Sequence, residues 1–339
     1  MILCFVLLSC LILISFKWVK GYNEDCLSFE MTNAIKGIFI LFVFISHINP
    51  YIVRAGYEYI GYGDPLFLDI NSYIGQWIVT LFLFYSGYGV MESIKRKGDK
   101  YIASFPKKRL LPLFINFNIA VFLFIITNIL LNNQITIKQS LLSFIAWDSV
   151  GNSNWYIFVI FVCYAITWGV FSFLKHTVGK VNNRQVFILT ALLVAVMLCL
   201  SYCKEEYWYD TILCYGAGCF VSCKKTEIFE LIKKNYNSFL LSVILLLFCI
   251  PHIPIYAKGL TLNAFNVAFA ILIVVVSMKF VVKSKFIVWL GENLFPIYIY
   301  QRIPMIVLSS IGGGASGSRV SDDICCCKFC DYIAHRKKL

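Results

Sequence analysis

The chain has 339 residues, of which 60% are hydrophobic and only 14% charged, and its mean hydropathy is +0.77. Soluble proteins carry roughly a quarter charged residues, so a water-soluble globule is excluded and lipid must be the solvent for most of the chain. The formal charge of +12 sits in connecting loops, which makes it a signal of membrane topology and argues against nucleic acid as a partner.

About ten apolar runs approach the 17–25 residues that a spanning helix needs. They lie near 2–19, 32–53, 72–92, 109–131, 153–174, 185–203, 207–222, 236–257, 260–282 and 286–311. The runs are too long and too uniformly apolar for barrel strands, which need roughly 9–11 alternating residues. Helices satisfy their own backbone groups, as hydrocarbon demands. The expected fold is therefore all-α, a polytopic integral membrane protein of about ten transmembrane helices in the cell membrane.

The first run reads as an uncleaved anchor. It lacks a basic n-region and a small-residue cleavage site, and Lys17 and Lys20 follow it. Residues 1–31 then form an anchor and loop, 32–311 the main membrane domain, and 312–339 a Gly/Cys-rich tail with no span. The 207–222 run is the weakest, because it holds Asp210 and the small residues Gly216, Ala217 and Gly218. The 93–109 loop carries Lys95, Arg96, Lys97, Lys100, Lys107, Lys108 and Arg109 against one interior acid, Asp99. Further basic loops hold Lys175, Lys180 and Arg184, then Lys224, Lys225, Lys233 and Lys234, then Lys279, Lys283 and Lys285. Between them lie loops with Asp64 and Asp69, Asp148, and Glu205, Glu206 and Asp210. The alternation puts the basic loops in the cytoplasm and, with ten spans, both termini outside.

Most of the 14 cysteines stand singly inside apolar runs, where a thiol behaves as a small hydrophobe. Cys325, Cys326, Cys327 and Cys330, with His335 nearby, form the one cluster. Three adjacent cysteines suit zinc geometry poorly, and no metal site is expected.

Ionisable groups within the bilayer are expensive and mark function. Of the four histidines, His176, His252 and His335 fall in connections or the tail, and only His47 lies inside an apolar run. It is open to two readings, a general base or a helix-packing residue. Lys36 precedes it by 11 positions. On a helix that spacing is about 20° from alignment with a rise of roughly 16 Å, so both share one face, the cation near the cytoplasmic end. Lys36 is either a functional cation or a snorkelling anchor.

Ala34-Ile35-Lys36-Gly37-Ile38 followed by His47 resembles the opening motif of acyltransferase family 3, the integral membrane acyltransferases. Further similarities follow in the family's order. They are Phe82-Leu83-Phe84-Tyr85-Ser86-Gly87-Tyr88, Lys107-Lys108-Arg109-Leu110-Leu111-Pro112, Asn154-Trp155-Tyr156-Ile157, and Leu290-Gly291 with Tyr298. The resemblance covers roughly 32–305. It implies transfer of an acyl group, often acetyl, to a hydroxyl of a sugar or cell-surface glycan. It also carries the family's histidine over to His47, the basic partner to Lys36 and the proline-linked arginine to Arg109. Three positions depart from the family pattern: Gln301 stands where a histidine is frequent, Leu294 where a serine is, and Pro106 at the first of two arginine positions.

The expected enzyme takes acyl-CoA, a cytoplasmic polyanion, as donor substrate and holds no bound cofactor. Lys36, Lys107, Lys108 and Arg109 are the candidate donor ligands, although such loops also serve as plain topological anchors. His47 is the candidate base or acyl relay. Asn152, Asn154, Trp155 and Tyr156 form a candidate acceptor mouth for a saccharide or polysaccharide, where belts of Trp and Tyr are also common. A glycan transporter, or an inactive or incomplete member of the family, would share most of these features.

Overall fold

The computed structural model describes residues 2–174, 183–252 and 258–312. It is 79% helical, and the chain is an all-α polytopic membrane protein. In order come α1 (Ile2–Ile14), β1 (Phe16–Trp18), α2 (Phe29–Arg54), α3 (Asp64–Lys97), α4 (Asp99–Phe105), α5 (Leu111–Leu130), α6 (Ile137–Ser143), α7 (Trp155–Phe173) and α8 (Asn183–Ser201). There follow α9 (Leu213–Cys223), α10 (Lys225–Lys234), α11 (Tyr236–Cys249), α12 (Lys258–Ser277), β2 (Phe280–Val282), α13 (Lys285–Glu292), α14 (Leu294–Tyr300) and α15 (Arg302–Gly312).

The number of spans corrects the expectation of about ten. Seven helices among the described residues are long and apolar enough to cross a bilayer, or eight if the pair α10 and α11, bent by 103°, counts as one span. The first run yields a helix of only 13 residues before the chain turns into a strand. The 207–222 run yields a short turn and a helix of 11 residues, which at 1.5 Å per residue reaches roughly half of a 30 Å hydrocarbon core. Asp210 and its neighbours are held instead in a loop fastened to α12. Asn263 Nδ2 donates to the Tyr209 carbonyl (2.7 Å) and its Oδ1 accepts from the Leu213 N–H (2.9 Å), while Asn266 Nδ2 donates to the Asp210 carbonyl (2.8 Å).

Two crossings fix the bundle. A Cβ on Gly37 of α2 would collide with the Ile287 carbonyl of α13, and one on Gly291 of α13 with the Asn33 carbonyl of α2. Likewise Gly87 of α3 abuts the Tyr215 carbonyl of α9, and Gly218 of α9 the Phe84 carbonyl of α3. Small residues let backbones touch where lipid supplies no hydrophobic drive between helices.

Lysines gather at one end of the bundle. There β1 pairs antiparallel with β2, Phe16 opposite Val282. Lys279 Nζ lies 3.8 Å from the Tyr22 ring centroid and 4.7 Å from that of Tyr236. Lys233 pairs with Glu24 at 2.6 Å, and Lys95 Nζ donates to the Ser222 carbonyl (2.6 Å). Elsewhere Lys204 is clasped between Trp147 and Trp208, 4.1 Å from each ring centroid.

Asp210 carries a pH signature. It is 6% exposed, its Oδ1 has no hydrogen-bond partner, and burial followed by the charge of Glu206 pushes its pKa from the ordinary 3.8 up to about 8. A carboxyl raised on folding binds more protons in the folded than in the unfolded state between those two values, so stability falls as pH rises through that window. Thermal melting in detergent is expected to drop by a few degrees from pH 5 to pH 8, and Asp210→Asn to flatten that slope. An unchanged slope in the variant refutes the assignment.

Candidate functional site

Helices α2, α3, α7, α13 and α14, with the start of α5, enclose an open cavity of about 430 Å³. Its polar lining includes Asn33, Lys36, Ser86, Arg109, Tyr156 and Tyr164. Lys36 reaches it because α2 starts well before it: the Met31 N–H donates to Ser28 Oγ (3.2 Å), a side-chain N-cap. One turn earlier, on the same face, Asn33 is 1% exposed and its Nδ2 has no hydrogen-bond partner. Glu292, exposed at the end of α13, adds a carboxylate to the rim.

Arg109 enters through a widened helical turn, Pro106–Leu110, that joins α4 to α5. Proline lacks the N–H of a regular ladder, and the turn sets consecutive cations apart. Lys107, Lys108 and Arg109 are all exposed, but of the three only Arg109 lines the cavity. Arg109 Nε donates to Tyr101 Oη (3.3 Å). Lys36 and Arg109 are near enough for their charges to interact. Two cations converge on one cavity whose lining has no carboxylate but Glu292, and such a field favours an anion.

His47 stands one aromatic layer away from this cavity. Tyr156, in the lining, meets Tyr298 edge-on with ring centroids 5.3 Å apart, and Tyr298 lies 5.8 Å from the His47 ring. Gln301 Nε2 is 3.1 Å from His47 Nδ1. The imidazole is thus partly buried against α14 and its junction with α15, turned to protein. Three residues beyond it, Pro50 interrupts the ladder of α2 and frees the Ser46 carbonyl. One turn beyond, Tyr51 accepts from Arg302 Nε (3.2 Å).

The four residues of the candidate acceptor mouth divide. Asn152 is buried, and its Oδ1 accepts from the Val150 N–H (3.0 Å). Asn154 Nδ2 donates to the Ala146 carbonyl (3.2 Å). Both brace a loop with left-handed backbone at Ala146 (φ 58°) and Gly151 (φ 97°). Trp155 packs edge-on against Tyr207 at 5.8 Å. Tyr156 faces the bundle interior, 8% exposed, as part of the cation-bearing cavity.

The sequence reading did not single out Asn33, Tyr164 or Glu292. Helical spacing offered a signal for two of them. Asn33 lies three residues before Lys36, and Tyr164 lies eight after Tyr156, about two turns on. Ser86 lines the same cavity as Tyr156 and Tyr164. Lys175, His176 and Lys180 lie outside the described residues, as do Cys325, Cys326, Cys327, Cys330 and His335 of the tail.

A family model described as an acyltransferase domain matches residues 32–318. No curated protein and no solved structure matches the chain.

Proposed function

The chain belongs to acyltransferase family 3 and is a multi-pass membrane acyltransferase, and from that premise we propose that it moves an acetyl or similar acyl group from acyl-CoA to a saccharide hydroxyl. The observation that carries this reading is the Lys36–Arg109 cavity, separated from His47 only by Tyr156 and Tyr298. A volume of about 430 Å³ suits a phosphate and part of the pantetheine arm rather than a whole nucleotide, within the usual 300–1,000 Å³ of small-molecule sites, and leaves the thioester end to pass Tyr156 and Tyr298 toward His47. Arg109 grips a donor phosphate in two places and Lys36 supplies a point charge. Lys107 and Lys108, facing outward beside Arg109, attract the remaining phosphates. His47 is the group at the reacting centre. The acceptor, a saccharide or polysaccharide, approaches from the side of the Trp155 loop, where Asn152 and Asn154 hold the backbone and Trp155 offers a ring face.

Calorimetric titration of the purified protein with coenzyme A tests the donor half without any acceptor. Arg109→Ala and Lys36→Ala are each expected to weaken binding about tenfold or more, as for loss of a charge-assisted hydrogen bond of 1.5–3 kcal/mol, while His47→Ala binds as the wild type does. Equal affinity in all three variants removes the cavity from donor binding.

A further inference from the structure

An imidazole can enter acyl transfer as a base, as an acyl carrier, or as an N–H donor to the oxygen that becomes negative. Which role His47 takes depends on which ring nitrogen holds the single proton of its neutral form. The neighbouring amide decides this. Gln301 Nε2 lies 3.1 Å from His47 Nδ1 and donates to the Tyr298 carbonyl at 3.3 Å. Its Oε1 is buried with no hydrogen-bond partner.

Turning the amide over would set Oε1 against the Tyr298 carbonyl oxygen, acceptor facing acceptor. It would also take the buried NH₂ away from the Tyr298 carbonyl, the acceptor that it has whatever the state of the imidazole. An unpartnered carbonyl, which is what the observed orientation costs, is the lesser penalty. The amide N–H therefore points at Nδ1, Nδ1 must be the bare nitrogen, and the ring proton sits on Nε2.

We propose that Gln301 is a positioning residue that holds His47 as its Nε2–H tautomer, so that the imidazole serves as hydrogen-bond donor to the acyl carbonyl oxygen rather than as a base. The inference rests on the acyltransferase reading of His47. In the step it describes, the acceptor hydroxyl oxygen forms a bond to the thioester carbonyl carbon, and the C=O π pair moves onto oxygen. His47 Nε2–H holds that oxyanion. The carbonyl then re-forms, the C–S bond breaks with its electron pair on sulfur, and the hydroxyl proton ends on the thiolate. Ester and thiol result, and His47 keeps its own proton throughout.

Nitrogen-15 NMR of histidine-labelled protein in nanodiscs reads the tautomer directly. With four histidines in the chain, His47→Gln identifies the signals of His47. The expected pattern is a bare, acceptor-type Nδ1 and a protonated Nε2; the reverse overturns the proposal. Gln301→Glu supplies the second measurement, because a carboxylate accepts from Nδ1–H and takes the proton off Nε2. Transfer by this variant is expected to fall about 10²-fold at neutral pH, the usual loss for one oxyanion donor. It recovers as pH falls and the ring gains its second proton, with coenzyme A affinity unchanged. Faster transfer, or recovery as pH rises, would mean that His47 works as a base. Failure of the broader reading looks different: His47→Ala would then transfer at the wild-type rate, whatever tautomer the spectrum shows.

Discussion

Purified His47→Ala protein is expected to transfer acetyl groups from labelled acetyl-CoA at about one hundredth of the wild-type rate or less. Losing either a positioned proton-transfer group or an oxyanion donor costs about 10²-fold or more. The imidazole has the surroundings such a role needs. It is partly buried, its Nδ1 is fixed by Gln301 at 3.1 Å, and Tyr298 stands between it and Tyr156 of the cavity wall. Because His47 does not line the cavity that holds Lys36 and Arg109, its removal leaves donor affinity intact, and the loss appears in kcat. A wild-type rate would take His47 out of the chemistry. Loss of donor binding along with rate would mean that the alanine has collapsed the bundle.

The second large effect is on folding. Gly37→Val and Gly291→Val each place side-chain carbons where a backbone carbonyl of the opposite helix already sits. A flexible side chain could turn aside, but a helix backbone cannot. The cost is expected at or beyond the upper end of ordinary overpacking, about 3 kcal/mol. Size-exclusion profiles and thermal melting in detergent should show little monodisperse protein for either variant. Gly169→Val in α7 is the control, since nothing lies within 4 Å of a Cβ built there and valine is the better helix former. If Gly37→Val melts like Gly169→Val, α2 and α13 are not in backbone contact. Gly37 directly follows Lys36, so any folded remnant should also bind coenzyme A poorly.

Much of the architecture could be read from hydropathy alone, because runs of spanning length need only be counted. What could not be read was which runs fall short. Residues 207–222 look apolar, yet the backbone around Tyr209 and Asp210 is claimed by Asn263 and Asn266 from more than 50 positions away. No local pattern reports such a bond. The site divides in the same way. The stripe joining Lys36 to His47 follows from 3.6 residues per turn. Gln301 was visible only as a departure from a family pattern, and its contact with the imidazole spans 254 positions. Tyr156 lies next to Trp155 in sequence, but the first turn of α7 points the two rings in different directions, one to Tyr207 and one to Tyr298. A single helical step of about 100° is enough to set Tyr156 in the wall of the cavity that holds Lys36 and Arg109 while Trp155 turns to the loop.

The short ladder between β1 and β2 bears on biosynthesis. Residues 16–18 find their partners at 280–282, so the ribosome must deliver every residue up to Val282 before this seam can close. Until then α1 is tethered by side-chain packing alone, and a strand made long before its partner waits for that partner to arrive. Pairings of such long sequence separation form slowly. Truncated translation products ending before residue 280 should therefore expose the α1–β1 region to protease while later helices are already protected.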